Sequence, residues 1–116
     1  MFQRSKNSKN KNNSNPVGSV RIVEAQKQLG AIACKDSTQR SRARFIGEVK
    51  SIRIVPRGVS YWFEVVISDG TGKINGWFFG RKSIPGIQPG SIILFEGLVQ
   101  LDEGEMTIAN PYYEIL

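Results

Sequence analysis

From Arg44 onward, turn residues cut this chain into runs of alternating apolar and polar side chains, the pattern of strands. The run "RFIGEVKSIRIV" alternates through Phe45, Gly47 and Val49, slips phase around Lys50 and Ser51, and resumes at Ile52 and Ile54. A period of two marks a strand with one buried face, and a slip inside a long strand marks a bulge. Pro56 and Gly58 signal a turn. "SYWFEVVIS" is a second strand, with Tyr61, Phe63, Val65 and Ile67 on one face. Asp69-Gly70-Thr71-Gly72 is a hairpin turn, and "KINGWFF" is the third strand. "GRKSIPGIQPG" is too broken by Pro and Gly for a helix. "SIILFEGLVQL" and "EMTIA" are a fourth and a fifth strand around the tight "DEGE" loop. Asn110-Pro111 closes the fifth, and "YYEIL" is expected to pack back on the domain.

Five short strands with tight turns and little helix define an all-β barrel or sandwich. A five-stranded SH3-like barrel is the alternative. The long, bulged first strand favours the five-stranded OB-fold Greek-key barrel, in which that strand serves both halves of the sheet. The expected core is Phe45, Val49, Phe63, Val65, Ile67, Ile74, Phe78, Ile93, Phe95, Val99 and Ile108. Gly47, Gly76 and Gly97 suit sharp coiling at barrel corners. Three segments follow: a disordered basic tail over 1–19, a short helix and connector over 20–43, and the barrel over 44–116. The short helix covers 20–29, with Ser19 as its N-cap, Val20, Val23 and Leu29 on one face, and Gly30 as its stop.

Charge is divided unevenly. Residues 1–57 carry 13 Lys and Arg against Glu24, Asp36 and Glu48, whereas 58–116 carry three against seven acids, for a net charge of +6. Basic chains of this size are drawn to polyanions. The positive front must be folded onto a binding face to matter. Cys34 is the single cysteine and there is no histidine, so neither an intrachain disulfide nor a zinc-type ligand set can form. No apolar run reaches the length of a membrane span, and no apolar stretch follows the basic start as in a secretory signal. Cytoplasm is the expected location, with no membrane partner.

In the third strand, Ile74, Gly76 and Phe78 share one face, while Lys73, Asn75, Trp77 and Phe79 share the other. Both faces own a large aromatic, yet a small barrel has one interior. The face of strands two and three is the binding platform of an OB barrel, flanked by the loops joining strands one to two and four to five. Trp62 and Trp77, the only tryptophans, both point outward there. A base stacked on an aromatic is worth about 1–3 kcal/mol. Lys73 and Asn75 beside them are placed to reach phosphate and base edges. Arg53, Arg57, Arg81 and Lys82 complete the expected nucleic-acid-binding set. Glu64 on the platform opposes phosphate or accepts from a base amino group, and the acidic Asp102, Glu103 and Glu105 disfavour a clamp by the second loop. Phe79 is expected in core or connector packing. An enzyme is not expected: general-base histidine and Cys–His pairs are lacking, the carboxylates are scattered, and no cofactor is implied.

"VISDGTGKINGWFFGRKSIPGIQPGSIILFEGLV" together with "NPYYEIL" resembles the small OB-fold nucleic-acid-binding proteins of actinobacteria. It is similar, more loosely, to the wedge domain of the RecG DNA helicase and to OB anticodon-binding domains of aminoacyl-tRNA synthetases. The resemblance covers about residues 31–116 and includes Cys34; an Asn/Lys-rich front stands where those relatives carry a longer charged helical region. It implies non-enzymatic binding of nucleic acid. The reading is therefore a binder of single-stranded DNA or RNA, stacking bases on strands two and three, with a protein-interaction OB module of a repair or replication complex as the alternative.

Overall fold

The computed structural model describes residues 16–116. Helix α1 (Pro16–Leu29) leads through one 3-10 turn (Cys34–Asp36) into seven strands. These are β1 (Arg42–Arg57), β2 (Ser60–Ser68), β3 (Lys73–Phe79), β4 (Ile92–Leu98), β5 (Gln100–Asp102), β6 (Glu105–Ala109) and β7 (Tyr112–Ile115). They pair in the order β5-β6-β3-β2-β1-β4-β7. All neighbours are antiparallel except β3 and β6, which run parallel. Only Val99 separates β4 from β5, so the curled sheet returns to the segment beside β1. This is the expected OB topology with two additions: the fourth strand is split at Val99, and the C-terminal tail pairs with β4 as β7, setting Tyr113 opposite Phe95.

The predicted bulge is present. β1 pairs with β4 from Arg42 to Glu48 and with β2 from Glu48 to Arg57, with a register shift between Val49 and Ser51. Gly47 allows the tight approach at this bend, because a Cβ there would lie 2.8 Å from the backbone C and O of Ser68. Gly76 likewise leaves room for the Phe95 ring, which would lie 2.7 Å from a Cβ.

Every expected core residue is buried, and all belong to one cluster. The connector adds two: Ile84 and Ile87, inside "SIPGI", turn inward and plug the barrel. Tyr61 departs from the expected inward row, being exposed at the end of β2. A second, smaller core lies outside the barrel, where Ile22 of α1 packs on Ile46, Ile92 and Leu94. The helix face thus differs from the expected one. Ile22, Ala25 and Leu29 face the sheet, while Val20 and Val23 are exposed. α1 also begins earlier than expected, at Pro16, so Ser19 lies within it and does not cap it. The rest of the expected basic tail, residues 1–15, lies outside the described residues. Gly30, at φ 68°, ends the helix as expected.

Asp69 ties the front of the chain to the barrel. Its carboxylate accepts from Gln26 Nε2 (3.0 Å), Cys34 N (3.0 Å), Thr71 N (2.9 Å) and Thr71 Oγ1 (2.6 Å). Partial burial pushes its pKa up, but the bonds from Thr71, Cys34 and Gln26 outweigh that and leave it below the ordinary 3.8. The "DGTG" turn is thus a lock between α1, the 3-10 turn and the β2–β3 hairpin. Cys34 beneath it is inert: burial, then the Asp69 charge, push its thiol up to about 12.

Two outcomes follow from this packing. Gly47→Ala should lower stability by about 1–3 kcal/mol, read as a lower urea midpoint, because the added methyl meets backbone that cannot swing away. Asp69→Ala should cost about 1–3 kcal/mol. The Asp69 contribution in the parent is full above the unfolded carboxylate's pKa and is lost as pH falls through its lower folded value. The two chains should therefore converge in urea midpoint on acidification; a constant gap would refute the lock.

Candidate nucleic-acid interface

Register builds the outer face in rows. One row runs Arg53, Glu64, Trp77, Ala109 across β1, β2, β3 and β6; the next runs Val55, Trp62, Phe79. The small Ala109 beside Trp77 keeps the indole from being walled in. Trp62 and Trp77 meet edge to face, with centroids 5.6 Å apart and planes at 69°. Phe79 lies 4.4 Å from Trp62, tilted by 35°, and is itself exposed. Phe79 therefore belongs to the outer cluster and not to core or connector packing, as its alternation with Phe78 dictates. Asn110 fixes this end of β3: at φ 46°, its N–H donates to Trp77 O (2.6 Å) and its Oδ1 accepts from Phe79 N (3.0 Å).

Two cations lie against these rings. The Arg57 guanidinium is 4.6 Å from the Trp62 centroid and that of Arg53 is 5.7 Å from Trp77. Both are within cation–π range. Arg53 Nε also donates to Glu64 Oε1 at 3.0 Å.

Asn75 takes a different place from the one expected. It is buried, and its Nδ2 donates to Glu64 Oε2 (3.0 Å) and Glu105 Oε1 (2.6 Å). With its amide N–H groups engaged by two carboxylates, it positions the platform and does not reach base edges. Glu64 is buried as well, with one oxygen bonded to Arg53 and the other to Asn75, so little of its carboxylate is presented to a base. The buried Glu64 and the exposed Glu105 would repel each other more strongly without such a bridge.

Two neighbouring clefts open over the tryptophans. The larger, about 440 Å³, runs between Trp62, Trp77 and Phe79 and a wall that includes Gln39, Arg40 and Asp102. The smaller, about 270 Å³, has Arg53 and Arg57 on one side and Asp102, Glu103 and Glu105 on the other. The tryptophans are half-buried and line both, so neither is sealed in the interior. The acidic β5–β6 turn faces the arginines, in keeping with its sequence.

The structure therefore assembles Arg53, Arg57, Trp62 and Trp77, and separates the rest of the expected set. Lys73 sits at the far end of β3, beside a different cleft shared with Cys34, Lys35 and Glu105. Arg81 and Lys82 are exposed on the connector, and Lys82 lies 4.3 Å from the Tyr61 ring, away from Trp62. Arg40 was missed by sequence reasoning. It has φ 67°, and its N–H donates to Val99 O (2.7 Å), the residue at which the fourth strand is split. Nothing in "STQRSR" signals that a left-handed residue straps the barrel and turns toward the cleft. Among the described residues no carboxylate, cysteine or histidine cluster of metal-binding size occurs, and no helix is long and apolar enough to cross a membrane.

With this geometry in hand, the comparisons are specific about fold. Residues 43–116 match the model of the OB-fold nucleic acid binding domain family that takes its label from tRNA anticodon binding, and the chain belongs to that family. No curated protein matches it in sequence. Among solved structures it is similar to a replication factor A related protein from Methanobacterium thermoautotrophicum, at 16% identity and TM-score 0.55, over 74% of this chain and 90% of that one. It also resembles a chain of a replication protein A heterotrimer bound to single-stranded DNA, at 14% identity and TM-score 0.51, over 84% and 76% of the two chains. RecG bound to a three-way DNA junction aligns at 16% identity and TM-score 0.53, over 88% of this chain but 17% of RecG. At these identities the likeness is one of fold.

Asn75→Ala removes the donor between Glu64 and Glu105 and should cost about 1–3 kcal/mol. Asn75→Asp should be worse at neutral pH. It puts a third carboxylate in the same contact, and protonation relieves the repulsion, so its deficit should shrink as pH falls. Urea midpoints of the two variants across pH check this; parallel profiles would refute the bridge.

Proposed function

We propose that this chain binds single-stranded nucleic acid as a non-catalytic module, with bases stacking on Trp77, Trp62 and Phe79. One observation carries the reading: the outer aromatics of β2 and β3 meet under two neighbouring open clefts, the larger lined also by Arg40 and the smaller by Arg53 and Arg57. Every base offers a π-face, so such a surface tolerates any sequence. The family and the likeness to a chain of a single-stranded-DNA-bound assembly agree with this choice of ligand. Trp77 is the first stacking surface. Trp62 lies against Arg57 and Phe79, so a base reaches it when Arg57 swings aside toward phosphate. Lys73, Arg81 and Lys82 serve at most as outlying phosphate contacts. Asn75 and Glu64 hold the platform in shape.

Titration with short DNA and RNA oligomers at low salt should quench tryptophan emission. Trp77→Ala should weaken binding by about 1–3 kcal/mol, roughly fivefold to more than a hundredfold. Arg57→Ala should flatten the salt dependence by about 0.7 in the log–log slope, the counterion share of one phosphate on a single strand. Absence of quenching, or binding unchanged in Trp77→Ala, would reject the assignment.

A further inference from the structure

Stacking on Trp62, Trp77 and Phe79 holds a base by its face and is blind to its edge. The wall of the larger cleft, about 440 Å³, lies where such an edge would point, and its polar side chains are Gln39, Arg40, Gln100 and Asp102. A cleft of that size suits one small ligand group. The backbone sets the wall in place. Gln100 of β5 pairs with Thr107, and Thr107 with Asn75, so Gln100 lies in a row of the outer face. Asp102, two residues on, takes the same side by alternation. Arg40 is held beside β5 by the bond from its N–H to Val99 O (2.7 Å).

Arg40 and Asp102 line this one cleft, yet among the described residues neither enters an ion pair. A ligand that satisfies both must offer acceptors to the guanidinium and donors to the carboxylate. Guanine does so on contiguous edges. Its N7 and O6 are the acceptor pair that a guanidinium grips with two bonds. Next to O6 lie the N1–H and N2–H₂ donors. Guanine alone among the bases carries two adjacent N–H donors, so it alone engages both oxygens of one carboxylate. Adenine and cytosine bring one exocyclic amino group, and thymine and uracil one ring N–H. We propose that the larger cleft reads the edge of a stacked base and prefers guanine. Asp102 accepts from N1–H and N2–H₂, and Arg40 donates to O6 and N7. This rests on the stacking reading and adds a base preference to it. Any base still stacks, and guanine is held at its edge as well. The preference needs no net positive field, because it uses one cation and one carboxylate, both of which the wall holds.

The test is a set of tryptophan-emission titrations with short thymidine oligomers that differ in one central base. Guanine there should bind about tenfold more tightly than adenine, cytosine or thymine. Hypoxanthine, which lacks the N2 amino group, and 7-deazaguanine, which lacks the N7 acceptor, should each lose much of that gain. Asp102→Asn should bring guanine and hypoxanthine to equal affinity, and Arg40→Asn should do the same for guanine and 7-deazaguanine. Both residues are exposed, and asparagine tolerates the φ of 67° at position 40. Equal binding of all the central bases, or a guanine preference that both variants keep, would overturn the base reading and leave stacking standing. Absence of quenching by every oligomer would overturn stacking and base reading together.

Discussion

The bend in β1 is the constraint on which the remaining architecture rests. One strand cannot pair with β4 and β2 over its whole length and still close a barrel, so it divides its partners at the Val49–Ser51 register shift. The extra residue re-aims the chain, and Gly47 lets it pass over the backbone of Ser68 where any other side chain would clash. Before the bulge, Phe45 and Val49 fill the interior and Ile46 faces α1. After it, the strand leaves the closed part of the barrel. It carries Arg53, Val55 and Arg57 beside Trp62 and Trp77 on one face, and exposes Ile52 and Ile54 on the other. Core and cleft are two consequences of one inserted residue.

The outer face then has to reconcile aromatics with carboxylates. Glu64 lies between Arg53 and Trp77 in its row, and Glu105 approaches from the neighbouring hairpin. Asn75 holds both through its amide, and a satisfied polar network of this kind is rigid, because each member has one low-energy arrangement. The aromatic cluster therefore sits on a fixed floor. Its one adjustable part is Arg57. A guanidinium on an exposed ring is worth about 0.5–1 kcal/mol, whereas a stacked base is worth about 1–3 kcal/mol. On the proposed function, exchange of one for the other on Trp62 would run in favour of the base, and the displaced cation would remain close enough for a phosphate.

Legibility in the sequence followed the range of the forces involved. The existence of the five strands read, the bulge, the core set and the outward parity of both tryptophans are local consequences of period-two patterning and are present in the structure, whereas the split of the fourth strand at Val99 and the pairing of the tail as β7 were not legible. The bounds of β2 and β3, fixed by Ser68-Asp69-Gly70 and Gly80, are also present as read. Apart from Phe79, whose outward side its own alternation already dictated, and Tyr61 at the strand end, the failures are non-local. Ile84 and Ile87 read as connector residues because their burial depends on the barrel mouth they plug. The helix face shifted from Val20 and Val23 to Ile22 and Ala25 because a short helix with weak patterning takes its rotation from the sheet it covers. Asn75 read as a contact residue because alternation fixes which way a side chain points and says nothing of what another strand brings opposite it. Arg40 was invisible for the same reason: Val99, its backbone partner, is far along the chain.

That non-locality also changes what the net charge means. The sequence is basic in front and acidic behind, and a long-range view would make the front a polyanion-binding surface. Folding brings the two halves together at the cleft, where Arg53 and Arg57 face Glu64, Asp102, Glu103 and Glu105. Carboxylates this close to the arginines cancel much of their field beyond a Debye length of about 8 Å. Long-range attraction is thereby weak at the site, and aromatic contact must supply most of the grip. On the proposed function, such a surface would discriminate in favour of ligands that present unstacked π-faces. A duplex, whose bases are stacked on one another and whose outside is phosphate, meets mainly the carboxylates. If the proposed reading holds, the mixed cleft would favour single strands over double ones by what it repels as much as by what it holds.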